Sequence, residues 1–133
     1  MSRIRGQDTA PELAVRSMLH RLGMRFSLRH KELPGRPDVV LPARGAVVFV
    51  HGCFWHQHRN CRNAAMPQTR REFWEAKLAR NVVRDRANSR ALRRLGWHVI
   101  TVWECELQDE AKVARRLAHL LGGMERNSEA DHA

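Results

Sequence analysis

The fold is decided by residues 38–50, which read DVVLPARGAVVFV. Two short apolar runs, from Asp38 to Leu41 and from Ala46 to Val50, flank a four-residue segment that contains proline and glycine. Valine-rich runs of this length, separated by turn residues, are typical of paired β-strands. We therefore predict a β-hairpin here that enters the hydrophobic core.

A helix and a short strand are expected before this hairpin. Residues 10–22 place apolar side chains at helical spacing, and either Asp8 or Thr9 can cap the first turn. Residues 24–30 predict a short strand, and residues 33–37 predict a turn by their proline and glycine content.

Three further elements are expected after the hairpin. Thr69 and Glu72 have the spacing of a capping box at the start of a long helix that should end near Leu95. Residues 97–103 are rich in β-forming residues and predict a buried strand. Residues 108–121 have the amphipathic pattern of a last helix.

The order of these elements, α-β-β-β-α-β-α, predicts a single α/β domain. The chain has 133 residues, 43% of them hydrophobic, which is enough to bury one core. We assign this domain to residues 1–121 and expect the polar residues 122–133 to form a disordered tail.

The charge of the chain favours a nucleic-acid partner. The formal net charge is +10 and the isoelectric point is near 11.3, and such a surface attracts polyanions. Almost all of the basic side chains are arginines, which suit bidentate phosphate contacts. A GC-rich genome would also favour arginine codons, so the argument depends on the sign of the charge alone.

Cysteine usage and the absence of targeting signals predict a cytoplasmic protein. Three cysteines cannot all pair within one chain. Residues 1–5 lack the apolar core of a secretory signal, and no apolar run approaches membrane-spanning length. Reduced thiols clustered with histidines are more typical of metal binding than of disulfides.

A zinc site is predicted from residues 51–61, HGCFWHQHRNC. Thiolate and imidazole are preferred zinc ligands, and the spacing C-x4-H-x2-C can wrap one tetrahedral ion. The candidate ligands are Cys53, His58, Cys61 and, from beyond the last predicted strand, Cys105. Spacing alone leaves open which of His51, His56 and His58 supplies the imidazole. The alternative, that the cysteines are small core residues, fits poorly with a polar loop.

A catalytic Mg²⁺ site is a second hypothesis. Asp38 stands at the start of a predicted strand, and its carboxylate could meet a backbone carbonyl near Val50 across the hairpin. Mg²⁺ prefers such oxygen ligands and activates water in phosphodiesterases. Glu12 could reach the same centre, and His56 is the candidate acid or base. Taken alone, Asp38 would be interpreted as a turn residue.

Three aromatic residues could form a wedge that enters a base step: Phe54, Trp55 and Trp74. Tryptophans are more often core residues, and we assign Trp97 and Trp103 to the core. Trp74 lies near the start of the long helix, which is crowded with arginines. That helix is a candidate phosphate-binding surface, although a charged helix is usually only solvated.

Several separated blocks resemble those of the very short patch repair (Vsr) DNA mismatch endonucleases, in the same order. They are residues 8–12 (DTAPE), 33–38 (LPGRPD), 51–56 (HGCFWH), 72–74 (EFW), 81–85 (NVVRD) and 102–105 (VWEC). The resemblance covers nearly the whole chain, from about residue 2 to about residue 121, which makes it far more specific than one short motif.

The resemblance implies a restriction-endonuclease-like mixed β-sheet flanked by helices, and an enzyme that nicks DNA beside the thymine of a T:G mismatch left by deamination of 5-methylcytosine. It implies that Asp38 and the Val50 carbonyl bind Mg²⁺ and that His56 transfers a proton. Glu12 and His51 would support the water network. Cys53, His58, Cys61 and Cys105 would hold zinc, and Phe54, Trp55 and Trp74 would intercalate.

Three departures from the family pattern bear on rate, affinity or target. A threonine of the family's metal-site strand is Val50 here, the loop between His58 and Cys61 is one residue longer, and an N-terminal arm before Ser2 is absent. A backbone ligand survives the first change, whereas a hydroxyl hydrogen bond does not.

We therefore expect a monomeric endonuclease that acts on double-stranded DNA in the bacterial cytoplasm, in association with the nucleoid. A repair polymerase and a ligase would act after it. Two alternatives stay open. A restriction-type nuclease of the same fold would keep the chemistry and change the target. A non-catalytic zinc module that binds nucleic acid would keep the Cys/His set and the charge, but it gives no role to Asp38 and His56.

Overall fold

Strand β2 (Ala46–His51) is the central strand of a three-stranded mixed sheet in the computed structural model, which describes residues 8–28 and 30–123. It pairs antiparallel with β1 (Val39–Leu41) and parallel with β3 (His98–Trp103). The predicted hairpin is therefore confirmed. A single 3₁₀ turn over Pro42–Arg44 joins its strands and ends at Gly45, whose φ of 61° is in the left-handed region that suits glycine.

The strand predicted at residues 24–30 is not formed as a full strand. Only Ser27 pairs with the sheet, through two backbone hydrogen bonds with Val40 of 2.8 and 2.9 Å. Because β1 has only three residues, it offers the preceding segment little length to pair with. Arg29 lies outside the described residues.

Three helices cover the two faces of this sheet. Helix α1 (Ala10–Arg21) and helix α3 (Glu110–Gly122) pack on one face. Helix α2 (Arg71–Arg94) connects β2 to β3 and contributes Leu92 to a smaller cluster on the other face. Alternate residues of the strands point to opposite faces, so that Val48 joins the larger cluster while Val47 joins the smaller one.

Side-chain N-caps begin two of the three helices, and the third begins differently from the prediction. Thr9 caps α1 by accepting a hydrogen bond from the Glu12 amide, and Asp109 caps α3 in the same way. The capping box predicted at Thr69 is wrong: Arg70, at a φ of 55°, occupies the cap position without a side-chain hydrogen bond, and Thr69 lies one residue outside it. Residues 104–108 form a 3₁₀ helix, so α3 begins two residues later than predicted.

The protein is thus a small α/β domain with a mixed sheet between helical layers. Helix α3 reaches Gly122, and the predicted tail beyond residue 123, like residues 1–7, lies outside the described part of the chain. None of the described helices combines the length and apolar character needed to cross a membrane. The start of β1 and the ends of β2 and β3 meet at one edge of the sheet, where the candidate site residues lie.

Candidate active site and metal centre

Asp38 lies immediately before β1, at this sheet edge. Its amide donates to the Val48 carbonyl at 3.1 Å, and its Oδ2 accepts a hydrogen bond from the Val50 amide at 2.7 Å. The two backbone groups of a strand residue point to the same side, so the Val50 carbonyl also faces the Asp38 side of the strand. The structure therefore brings together the carboxylate and the backbone position predicted from the sequence.

A glycine turn presses the Asp38 segment against helix α2. Gly35 has a φ of 75°, and a Cβ built there would meet the Asn88 side chain at 3.0 Å. Another residue would be strained in this backbone conformation and would crowd α2 as well. The turn thus sets how closely Asp38 approaches the helix.

Glu12 is buried beside Asp38, although it belongs to a different layer. Its Oε1 accepts a hydrogen bond from the Asp8 amide at 2.7 Å and lies 3.4 Å from the Arg16 guanidinium. Burial is the main cause that raises the pKa of Asp38 to about 7; the Val50 amide opposes this, and the Glu12 carboxylate adds to it. Two adjacent carboxyl groups and a backbone oxygen suit a hard divalent cation, which would relieve their repulsion.

His51 and His56 form a parallel stack beside Asp38, with ring centroids 3.7 Å apart and planes within 6°. Burial is the main cause that lowers the pKa of His51 to about 4, and His56 adds to the effect. His51 is therefore neutral near pH 7, and its Nδ1 is buried without a hydrogen-bond partner among the described residues.

Asp85 of α2 completes this group, although no role was predicted for it from the sequence. Its Oδ2 lies 2.6 Å from Nδ1 of His56. An ionised carboxylate only accepts hydrogen bonds, so His56 carries its proton on Nδ1 and leaves Nε2 free to exchange one. Asp85 could have been singled out because it ends residues 81–85, one of the blocks that resemble the Vsr family. Nothing in the neighbouring sequence indicated that it would hydrogen-bond to His56.

The trio of His51, His56 and Asp85 has ligand atoms close enough to surround an ion. The parallel rings argue against this arrangement. A metal about 2 Å from a nitrogen of each ring would lie far out of the plane of at least one of them. These residues are better suited to proton transfer than to coordination.

The four predicted zinc ligands converge between the loop after β2 and the end of β3. The ligand atoms of Cys53, His58, Cys61 and Cys105 all lie within 4.8 Å of one another. Nδ1 of His58 is 3.7 Å from Sγ of Cys53 and 3.4 Å from Sγ of Cys105. Ligand atoms of a tetrahedral zinc site stand roughly 3.5 to 3.8 Å apart, so these positions fit the ion.

The thiols of this cluster would ionise together only beside a cation. Loss of hydration and the neighbouring Cys53 and Cys61 raise the pKa of Cys105 to about 12. Three adjacent thiolates are therefore unfavourable unless positive charge is present. The geometry favours His58 as the ligand, because His51 and His56 stack with each other at the adjacent site.

Trp103 lies between the cysteine cluster and the stacked histidines. Its ring stacks on His58 with centroids 4.2 Å apart and meets the His51 ring edge-on at 5.2 Å. The expectation that Trp103 is simply a core residue is wrong, because its strand alternates and only Ile100 and Val102 point fully into the core. Trp97 is half-buried and packs against the smaller cluster.

Three aromatic rings form a surface cluster next to the histidines. Phe54, Trp55 and Trp74 have centroids 5.2 to 5.7 Å apart in edge-to-face arrangements. Trp55 is 48% exposed. Asn81 of α2 donates to the Trp55 carbonyl at 3.1 Å, which ties the loop to the helix. The cluster is thus supported on one side and open on the other.

A cavity of about 690 Å³ unites most of these groups. Its lining includes the carboxylates, both histidines and two of the three aromatic residues, namely Glu12, Asp38, His51, Phe54, Trp55, His56 and Asp85. Trp74 is not part of the lining but contacts Trp55. The site combines carboxylate and backbone oxygens, a histidine held by a carboxylate and exposed aromatic surface, a set that suits phosphodiester hydrolysis in DNA.

Comparison with known proteins finds similarity to DNA mismatch endonucleases and nicking enzymes. Residues 1–63 match the model of the family "DNA mismatch endonuclease Vsr". The chain is 47% identical to the type II nicking enzyme V.XorIIP of Xanthomonas oryzae over 91% of its length and 88% of that protein. It is 44% identical to the DNA mismatch endonuclease Vsr of Escherichia coli, over 85% of the chain and 72% of the relative. A type II nicking enzyme of Neisseria meningitidis, V.NmeAIP, is 40% identical over 91% of the chain and 86% of its own length.

Proposed function

The chain belongs to the Vsr family of DNA endonucleases, and on this premise we propose that it is a Mg²⁺-dependent enzyme, stabilised by zinc, that nicks one strand beside the thymine of a T:G mismatch. The single observation that carries the proposal is the cavity in which Asp38 and the His56–Asp85 pair face each other beside an aromatic cluster. We further propose that the fold is a variant of the restriction-endonuclease fold, which the mixed sheet between helices supports.

In this proposal Asp38 and the Val50 carbonyl hold Mg²⁺. When bound, the ion would neutralise charge on the scissile phosphate and lower the pKa of a nearby water. The substitution of valine for the family's threonine leaves a backbone ligand in place. Glu12, fixed by the Asp8 amide and near Arg16, supplies a second carboxylate that can orient water at this centre.

His56 is the proposed proton carrier. Asp85 holds the imidazole by Nδ1, so Nε2 points its lone pair away from α2 and can accept a proton from water or return one to a leaving oxygen. His51, neutral and stacked on His56, fixes the ring plane and keeps a second positive charge away from it. Proton transfer therefore depends on three side chains, which come from β2, the loop after it and α2.

Zinc is the proposed structural ion of the Cys53, His58, Cys61 and Cys105 cluster. It would hold the loop that carries His56 and the aromatic wedge against the end of β3. The Cys53 amide also donates to Glu104 at 3.2 Å, so a direct hydrogen bond ties the same loop to the residue that follows β3.

Mismatch recognition is assigned to the aromatic cluster. Apolar rings that enter a base step unstack and kink DNA, and unstacking costs least at a mismatched pair. Trp55, the most exposed of the three, would lead, with Phe54 and Trp74 packed behind it. Such a kink would deliver the adjacent phosphate to the cavity.

The experiment that tests the proposal compares nicking of duplexes that differ only at one T:G or C:G pair. The zinc-loaded protein with Mg²⁺ should nick the T:G duplex on the thymine strand, and Asp38→Ala should bind but not nick. Equal inertness of the wild type on both duplexes would refute the mismatch function. Nicking by Asp38→Ala would move the metal site elsewhere.

The second candidate is a nuclease of the same family with another target. The relatives named type II nicking enzymes favour it, because that name does not mention a mismatch. A cleavage screen over matched and mismatched sequences separates the two. The non-catalytic alternative is excluded by family membership. We expect a monomer acting on nucleoid DNA, whose nick a polymerase and a ligase would repair.

A further inference from the structure

A second groove, of about 540 Å³, adjoins the catalytic cavity. The two share His51, His56, Asp85 and Ser89, so these residues form a common wall between them. The groove runs between the loop after β2 and one face of α2, and Thr101 and Trp103 of β3 also line it. None of the proposed steps of nicking uses it.

Four exposed arginines line this groove: Arg59, Arg86, Arg90 and Arg93. None of the four forms an ion pair or a side-chain hydrogen bond with another described residue. Asp85 is the only carboxylate in the lining, and His56 engages it. The groove therefore carries positive charge that the described part of the protein does not neutralise.

The groove arginines of α2 are concentrated on one face of the helix, whereas charges on a helix that is only solvated need not share a face. Arg86, Arg90 and Arg93 recur at intervals of four and three, so they share one helix face, and Arg59 joins them from the opposing loop. Like charges at such spacing destabilise a helix. The other arginines of α2 are placed differently. Arg71 pairs with Glu75, and Arg84 donates to Asn81. Arg80 and Arg94 line neither cavity.

We propose that this groove binds the phosphodiester backbone of the same DNA strand that enters the catalytic cavity, at phosphates beside the scissile one. Guanidinium groups suit phosphate oxygens, and the common wall places the groove next to the reacting phosphate. The groove would thus fix the strand's register relative to His56. This inference rests on the proposed nuclease function and adds a specific positioning surface to it.

The test compares two variants with the same change in charge. Arg90→Ala/Arg93→Ala removes two groove arginines, and Arg80→Ala/Arg94→Ala removes two exposed arginines of the same helix outside both cavities. Affinity for a short T:G duplex is measured by fluorescence anisotropy at several salt concentrations without added Mg²⁺. The groove variant should reduce the slope of log K against log salt by about two and weaken binding roughly 10- to 30-fold near physiological salt. The control should change the slope by less than half as much.

The position of the contact is tested with neutral phosphates. A methylphosphonate at a phosphate flanking the nick should weaken binding by the wild type and by the control, but add little to the loss in the groove variant. Arg59→Gln, outside α2, should reproduce part of the loss without altering that helix, and zinc content and circular dichroism verify folding. If the two double variants lose the same affinity and salt dependence while the wild type nicks normally, the groove proposal is wrong and the nuclease proposal stands. A wild type that neither binds nor nicks would overturn the nuclease proposal itself.

Discussion

Nδ1 of His56 lies 2.6 Å from Oδ2 of Asp85, although 29 residues separate them along the chain. The loop after β2 supplies the imidazole and α2 supplies the carboxylate, so the pair exists only when the helix packs on the sheet edge. Its orientation leaves Nε2 as the free nitrogen.

Asp85→Asn should slow nicking about 100-fold or more without weakening DNA binding. An amide can donate to Nδ1 and so favour the wrong tautomer, which removes the proton transfer that His56 would supply. Single-turnover nicking and duplex affinity measure the two effects. Glu75→Gln, the same change on an exposed residue of α2, should be neutral. Because Asp85 acts through His56, a large additional loss in His56→Ala/Asp85→Asn beyond His56→Ala would contradict the pair.

Asp38→Asn should stabilise the zinc-loaded protein in the absence of Mg²⁺. The pKa of Asp38 is raised from 3.8 to about 7, so the folded state binds more protons than the unfolded chain between these values. Wild-type stability from this group is therefore lost as the pH rises through about 7. The advantage of the variant should grow by about 2 to 3 kcal/mol from about pH 5 to pH 8. Denaturant unfolding measures it, and Mg²⁺ should narrow the gap by stabilising only the wild type. A constant difference across pH would show that Asp38 is not the titrating group.

His58→Ala should lower both zinc content and stability. The wild type should purify with one zinc ion per chain, because four ligand atoms converge at tetrahedral spacing. Loss of one ligand should reduce occupancy and cost roughly 3 kcal/mol or more of unfolding free energy. Elemental analysis and denaturant unfolding provide the measurements. The matched change His119→Ala, at an exposed position of α3, should leave both unchanged. Full zinc retention in His58→Ala would reassign the imidazole ligand.

Trp103→Leu should weaken zinc binding about 10- to 100-fold while leaving the four ligands intact. Its ring stacks on His58, and residues that orient a ligand usually contribute on this scale. Competition with a chelating dye measures the affinity. Trp103→Phe keeps a stacking ring and should recover much of the loss, whereas Trp97→Leu should have little effect because Trp97 precedes β3, at the opposite end of the strand from Trp103. Unchanged affinity in Trp103→Leu would mean that the stack is incidental.

Trp55→Ala should weaken binding to a T:G duplex about tenfold and reduce the preference over C:G. Stacking of a base on an aromatic ring contributes about 1 to 3 kcal/mol, and Trp55 is the most exposed member of its cluster. Anisotropy titrations with both duplexes give the ratio. Leu95→Ala, an exposed apolar residue at the far end of α2, serves as the control. If Trp55→Ala lost affinity equally for both duplexes, the residue would bind DNA without recognising the mismatch.

Local patterns in the sequence were sufficient for most of the secondary structure. The valine-rich runs on either side of Pro42–Gly45 predicted the hairpin, and apolar spacing predicted α1 and α3, because both signals depend on neighbours within a few residues. The errors also have local causes. Ser27 makes one bridge where a strand was expected, and Arg70 displaces Thr69 as the cap of α2, since a backbone in the left-handed region was not visible in the sequence.

The candidate metal ligands could be predicted from the sequence because cysteine, histidine and aspartate are common metal-ligating residue types. Spacing within residues 51–61 indicated a metal loop, while the choice of His58 over two other histidines came from the family resemblance. The structure favours the same choice for a separate reason: His51 and His56 are stacked together at the neighbouring site.

The sequence by itself determined most of the elements, the candidate metal-binding residue types and the family. Only the tertiary structure decided which distant groups meet. Parallel pairing of β2 with β3 brings Cys105 and Trp103 to the loop after β2, and packing of α2 across the sheet brings Asp85 to His56 and three arginines to Arg59. Such contacts depend on the register of strands and the rotation of a helix, which follow from the packing of the whole core and leave no trace in local residue spacing.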